Sequence, residues 1–173
     1  MSNVKVSVII LNWNGIKLLK KYFKSLLNQN FNGYEIIFFD NNSLDNSINY
    51  IKSLKKKSKV QIKIIRNNKN DGTAYASNLA FKHVKSDYAF FVSNDMLFDK
   101  NLIKHLYNFC ETKKDVGIAT VKMLKHVNNK KTNIIDSMGA NIDLFCCADS
   151  INIHKNLKKV IDKNREIFFA FGG

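Results

Sequence analysis

The chain of 173 residues contains no proline, where average usage of about 5% would place about nine. Proline-rich linkers and polyproline recognition segments are thereby excluded. Cysteine is sparse: Cys110, Cys146 and Cys147 make an odd set without CxxC spacing, so neither a disulfide framework nor a zinc site is predicted. The four histidines, His83, His105, His126 and His154, are scattered without partners at ligand spacing and read as surface or helix residues. No apolar run approaches the roughly 20 residues that span a bilayer, and no apolar leader precedes the first predicted strand. These absences predict a protein of a reducing, cytoplasmic compartment, with peripheral contact at an inner membrane surface still open to it.

Acidic residues are the minority, 14 Asp and Glu against 28 Lys and Arg, giving a formal net charge of +14. That balance implies anionic company without choosing among nucleotide diphosphates, phospholipid headgroups and nucleic acid. The basic runs Lys55-Lys56-Lys57 and Lys158-Lys159 suit solvated helix ends, where cations complement the dipole. Apolar content of 45% and charged content of 24% are those of a soluble globular protein. The length predicts a single domain over residues 1–173, which would bury roughly 70% of its unfolded surface.

What is present is an alternation of two periodicities. Residues 6–11 (VSVIIL) and 88–92 are short apolar runs, continuous rather than alternating, as expected of strands buried on both faces, and residues 34–39 (YEIIFF) and 60–65 read as the second and third strands. Between them lie helical patterns at residues 14–29, 45–54 and 73–84, and a fourth follows at 102–110. Asn14 is expected to cap the first helix and Asp99 to cap the fourth. Residues 116–123 are predicted as a fifth strand and 167–171 as a final one, with 124–165 polar and irregular. Strands alternating with helices predict an α/β fold: a mainly parallel central sheet with helices on both faces, Rossmann-like in layout.

The unusual residues follow strands. Asn12 and Asn14 follow the first, Asp40 and Asn42 the second, Asn70, Asp71 and Gly72 the third, and Asn94 and Asp95 the fourth. In a parallel sheet those ends share one edge, the edge where ligands bind. Short amides and carboxylates there can read a base, a ribose or a cation, and a glycine permits close backbone approach. Turn formation also favours Asn, Asp and Gly. Trp13 could stack on a base or lean on the core, and its residue type does not choose between these.

The segments VSVIILNWNG (6–15), FFDNNSLDNS (38–47), IIRNNKNDGTAYASNLAF (64–81) and FFVSND (90–95) together resemble family 2 glycosyltransferases of the GT-A fold, inverting enzymes that use nucleotide sugars. A weaker echo lies in IDSMGANID (135–143). The resemblance implies that Leu11, Asn12 and Asn14 belong to the loop beside the nucleotide, that Asp40 accepts hydrogen bonds from the base with Asn42 nearby, and that Asn70, Gly72 and Asn78 shape the wall along ribose and diphosphate. It implies that Ser93-Asn94-Asp95 stands for the DxD-type motif, with Asn94 beside the nucleotide sugar and Asp95 ligating a divalent metal, Mg²⁺ or Mn²⁺. Two departures occur: Ser93 replaces the Asp or Asn often found there, and Ala80 stands where Gly is common.

Glycosyl transfer with inversion requires a base to take the proton from the acceptor hydroxyl. By the resemblance that carboxylate would lie beyond the segment matching residues 168–173, so the chain is expected to be a donor-binding portion that transfers poorly alone. The late carboxylates Asp136, Asp143 and Asp149 sit in no matching motif, and the catalytic base stays unassigned. The implied partners are a nucleoside-diphosphate sugar and a hydroxyl acceptor, lipid-linked if the positive charge serves anionic membrane contact. A sugar-phosphate nucleotidyltransferase would carry a glycine-rich phosphate loop with a basic residue after the first strand, which NWNG does not supply. A non-catalytic basic module binding nucleotide, nucleic acid or anionic lipid predicts interleaved basic and aromatic residues. This sequence instead concentrates neutral amides and acids after strands, so nucleic acid is disfavoured.

Overall fold

The computed structural model describes residues 4–127, 130–145, 147–161, 163–168 and 170. These fall into two compact units, one ending at Lys114 and one beginning at Asp115.

The first unit is an open parallel sheet built from β1 (Val6–Asn12), β2 (Tyr34–Asp40), β3 (Gln61–Arg66) and β4 (Tyr88–Val92). The strand order is β3-β2-β1-β4, with every pairing parallel. Helices α1 (Ile16–Leu27), α2 (Ser47–Lys55) and α3 (Gly72–Phe81) cross between strands, and α4 (Leu102–Thr112) follows β4. The continuous apolar runs are explained by the pleat, which sends successive side chains to opposite faces. Val6, Val8 and Ile10 of β1 join Tyr34, Ile36 and Phe38 of β2 in packing against Leu19, Phe23 and Leu26 of α1, Ile51 of α2 and Ile103 of α4. Ile9, Ile37 and Phe39 face the other way, against Ala76 and Ala80 of α3. Helices therefore cover both faces as predicted, and Ala80 is a buried packing residue. The Tyr34 hydroxyl donates to the Leu26 carbonyl at 2.8 Å, satisfying one of the last carbonyls of α1. Burial pushes the pKa of that hydroxyl up to about 12.

Asn14 does not cap α1. It adopts a left-handed conformation with φ 50°, and Gly15 is the N-cap, without a side-chain bond. The first-turn amide of Ile16 is satisfied across the chain by Asp45 Oδ2 at 2.9 Å. Asp99 does not cap α4 either: its carboxylate accepts from the Asn101 N–H at 3.0 Å, and Asn101 occupies the N-cap.

The second unit departs from the sequence expectation. No strand forms over 116–122; extended structure begins at β5 (Met123–Val127), which pairs antiparallel with β6 (Lys130–Ser137). The apolar character of 116–123 is insufficient because a strand also needs a ladder partner for its backbone, and Ile118 is 83% exposed. Residues 124–165 are more regular than expected: besides β5 and β6 they hold a second hairpin of β7 (Ala140–Ile142) and β8 (Ala148–Ser150). Of the predicted final strand, Phe169 and Phe171 lie outside the described residues, and 167, 168 and 170 are not in a strand.

Candidate functional site

The carboxyl ends of β1, β2 and β4 meet in a buried web of short polar side chains. Asn12, the last residue of β1, is 2% exposed. Its Nδ2 donates to Asp40 Oδ1 at 3.1 Å and to Ser43 Oγ at 3.0 Å, and its Oδ1 accepts from Asn94 Nδ2 at 3.0 Å. Asp40, the last residue of β2, is fully buried. Oδ1 also accepts from the Ser43 hydroxyl at 2.6 Å, and Oδ2 accepts from the Ser43 N–H at 2.9 Å. Ser43 Oγ in turn accepts the Asn14 N–H at 2.9 Å, while Asn14 Oδ1 accepts the Leu44 N–H at 2.8 Å. The loop after β1 is thus latched to the loop after β2 by reciprocal bonds.

Asp45 extends the latch. Besides the Ile16 N–H it accepts the Ser47 N–H at 3.0 Å, so one carboxylate serves the starts of both α1 and α2. Burial pushes its pKa up, but hydrogen bonds from Ser47 and from the Ile16 amide outweigh this and leave it below the ordinary carboxylate value. Gly15 makes the crossing possible: a Cβ there would lie 2.3 Å from Asn12 Oδ1 and 2.4 Å from Asn94 Nδ2.

A second cluster lies after β3. Asn41 Nδ2 donates to Asn70 Oδ1 at 2.6 Å, and Asn41 Oδ1 accepts from Asn67 Nδ2 at 3.0 Å and from the Asp71 N–H at 3.3 Å. Asn70 Oδ1 also accepts the Gly72 N–H at 3.0 Å. The bond from Asn67 at 2.8 Å and the charge of Lys69 hold the Asp71 pKa down. Gly72 has φ +77° and open space around it, so the chain turns into α3 with its backbone accessible.

The predicted residues therefore divide. Asn12, Asn14, Asp40 and Asn94 are joined in one web, and Asn70 with Gly72 forms the adjoining rim. Asn42 sits within the β2 loop in a left-handed conformation, φ 65°. Leu11 packs against the α3-side core, and Asn78 is exposed on α3, outside both clusters. A role for Asp40 in accepting hydrogen bonds directly from a base is at odds with its burial: both oxygens are already held by Asn12 and Ser43. Sequence reasoning passed over Asn41, Ser43, Asp45 and Arg66, whose Nη2 donates to the Ser43 carbonyl at 3.3 Å. The one available signal, for the first three, was the polar stretch from Asp40 to Ser47, interrupted only by Leu44.

Asp95 is exposed just beyond β4 and makes no hydrogen bond or ion pair among the described residues. Nor do the described residues contain a group of three His, Cys, Asp or Glu able to hold a metal. A single free carboxylate fits a hard divalent ion that takes one protein ligand and completes its shell with water and phosphate oxygens; it does not fit a closed all-protein site. No helix among the described residues is long and apolar enough to cross a membrane.

Glycosyl transferase family 2 is matched over residues 7–170. The poly(ribitol-phosphate) beta-N-acetylglucosaminyltransferase TarP of Staphylococcus aureus (strain N315) is 32% identical, covering 96% of this chain and 53% of that protein. The poly(ribitol-phosphate) beta-glucosyltransferase of Bacillus spizizenii is 30% identical over 73% of this chain and 20% of that protein. The chain thus spans about half or less of the length of these relatives. Among solved structures, S. aureus TarS 1-349 in complex with UDP-GlcNAc superimposes with a TM-score of 0.60 at 22% identity, covering 72% of this chain and 39% of that one, a likeness of GT-A type fold. By the match across nearly its whole length, the chain belongs to glycosyl transferase family 2.

Proposed function

We propose that the chain binds a nucleoside-diphosphate sugar, a UDP-hexose foremost, at the carboxyl edge of its parallel sheet. The sugar then passes with inversion to a hydroxyl of an anionic acceptor. The observation that carries this reading is the buried Asn94-Asn12-Asp40-Ser43 web, which holds three strand-end loops in register while leaving Trp13, Asn14 and Asp95 exposed around it. Such preorganisation lowers the ordering cost of binding a ligand that touches several loops. Asp40 then acts by holding the loops, and base and ribose contacts fall to the accessible amides of Asn14, Asn42 and Asn70 and the backbone at Gly72.

The reaction forms a bond between the acceptor oxygen and the anomeric carbon, breaks the bond to the diphosphate, and sends that electron pair to the leaving diphosphate oxygen. The acceptor proton passes to a base, for which no described residue is assigned. Asp95 would hold a Mg²⁺ or Mn²⁺, whose chemistry is neutralisation of charge on the diphosphate. Inversion is supported by the beta linkage named for both relatives, because common UDP-hexoses are α-linked. The net charge of +14 supports an anionic acceptor, polymeric or presented on an anionic membrane.

The test is a thermal-shift and fluorescence titration with UDP-glucose, UDP-GlcNAc and GDP-mannose, with and without Mn²⁺. Trp13 is the only tryptophan and lies in the loop after β1, so it reports this edge directly. A ligand at 100 times its Kd stabilises the fold by about 2.7 kcal/mol. Absence of both a melting shift and a Trp13 response at millimolar concentrations of every donor would overturn the reading.

A further inference from the structure

A cavity of about 1020 Å³ opens at the opposite, amino-terminal edge of the same sheet, and its lining includes Glu35, Lys55, Lys59, Lys63, His83 and Lys85. Glu35 is five residues before Asp40 on β2, which at about 3.3 Å per residue separates the two by about 16 Å. It is only 7% exposed. Its Oε1 accepts from the Ser7 hydroxyl at 2.8 Å, and Ser7 is itself approached by the Ser86 hydroxyl at 2.8 Å. Its Oε2 has no hydrogen-bond partner among the described residues and is not one of their enclosed atoms, so it is a free acceptor that solvent reaches in a residue lining the cleft. None of the four lysines is paired with a carboxylate among the described residues. Lys63 Nζ lies 3.3 Å from His83 Nδ1; an ammonium only donates, so Nδ1 is the acceptor and the ring proton sits on Nε2. Burial, and then the charge of Lys63, hold the His83 pKa down.

A lysine or two on an edge strand protects it from pairing with another chain. That purpose explains Lys63 and does not explain a carboxylate with one free oxygen on a cleft lined by four lysines that no carboxylate among the described residues pairs. We propose that this cleft is a second binding site, separate from the strand-end web, for a polyol phosphate: the lysines take the phosphate and Glu35 Oε2 accepts a hydroxyl hydrogen. The two chemistries have to occur in one ligand. A bare phosphate would leave Glu35 unused, and a neutral polyol would leave the lysines uncompensated. The site does not depend on the transferase reading.

The experiment is calorimetric titration of the 173-residue chain with glycerol 3-phosphate, with inorganic phosphate and glycerol as separate arms, followed by the same titration in saturating UDP. The exposed pair Lys59→Glu/Lys85→Glu is expected to weaken glycerol 3-phosphate binding at least about tenfold, the scale of charge-assisted hydrogen bonds. Glu35→Gln, whose amide oxygen still accepts from Ser7, is expected to bring glycerol 3-phosphate affinity down to that of inorganic phosphate. Trp13 fluorescence is expected to stay unchanged by glycerol 3-phosphate and to keep its response to UDP in both variants. Absence of binding overturns the proposal, as does binding that UDP displaces or that both variants leave unaltered. Retention on phosphatidylglycerol vesicles without a glycerol 3-phosphate heat would make the lysines a membrane patch and equally overturn it.

Discussion

Replacing Gly15 by alanine isolates the crossing between the ends of β1 and β4. The backbone tolerates the change, since Gly15 has φ −99°, so no conformational strain enters. The added Cβ would sit 2.3 Å from Asn12 Oδ1 and 2.4 Å from Asn94 Nδ2, about 1 Å short of ordinary carbon contact at each. These two atoms are the donor and acceptor of a single 3.0 Å hydrogen bond. Asn12 cannot rotate away freely, because its Nδ2 is committed to Asp40 and Ser43. Asn94, on the less buried side, is the group that gives. Losing the bond costs about 1 kcal/mol, and leaving Asn12 Oδ1 buried without a partner raises that to about 1–3 kcal/mol. The lower entropy of the unfolded alanine chain returns about 0.4–1 kcal/mol, so the variant is expected to be destabilised by about 1–2 kcal/mol. At about 2–4 °C per kcal/mol for a chain of this size, its melting temperature should fall by about 2–8 °C. Gly117→Ala is the control, because nothing lies within 4 Å of its added Cβ and its φ is not positive. Thermal melts of both variants, with UDP titrated against Trp13 fluorescence, check the reasoning. If Gly15→Ala melts with Gly117→Ala and binds UDP as the parent chain does, the Asn12–Asn94 bond does not organise the site.

Asp95→Ala is expected to leave the melting temperature unchanged and to remove the Mn²⁺ dependence of UDP binding; equal Mn²⁺ enhancement in both proteins would refute the assignment. Asp40→Asn places an amide group where Asp40 meets the Ser43 hydroxyl and N–H, and is expected to lower stability by about 1–3 kcal/mol in a urea melt. Weakened UDP binding with an unchanged melt would instead return base recognition to Asp40. Asp45→Ala removes the partner of the Ile16 and Ser47 amides and is expected to cost about 1 kcal/mol. The folded pKa of Asp45 lies below the ordinary carboxylate value, so its contribution is complete above about pH 4 and is lost as pH falls through the lower folded value. The variant's deficit should accordingly shrink in acid, and a deficit that does not change with pH would show that Asp45 acts by packing.

The parallel α/β core was determined by the sequence alone, because the pattern that encodes it is local. A run such as VIIL in β1 is apolar at every position, and only a strand covered on both faces uses all of them. Crossover helices between such strands then bring the residues after each strand to one edge, which is how Asn12, Asp40 and Asn94 were recognisable before any coordinate. The division of labour within that edge was decided by tertiary structure. Asp40 and Asp95 are both acids at strand ends, yet one is enclosed by Asn12 and Ser43 and the other is free. That difference arises in part from Asn12, a partner 28 residues away, whereas turn propensity scores all such residues alike. The same limit hid the service of Asp45 to a helix that begins 29 residues earlier, and made Asn14, with its suitable side chain, look like a cap. It also explains the second unit, where 116–122 had the composition of a strand without a partner. The β5–β6 hairpin, polar in sequence, found one. Strand formation depends on a ladder supplied by distant chain, and residue type does not encode where that ladder will be. Glu35 is the sharpest case: residue type gives no sign that a carboxylate in β2 is only 7% exposed and lines a basic cleft.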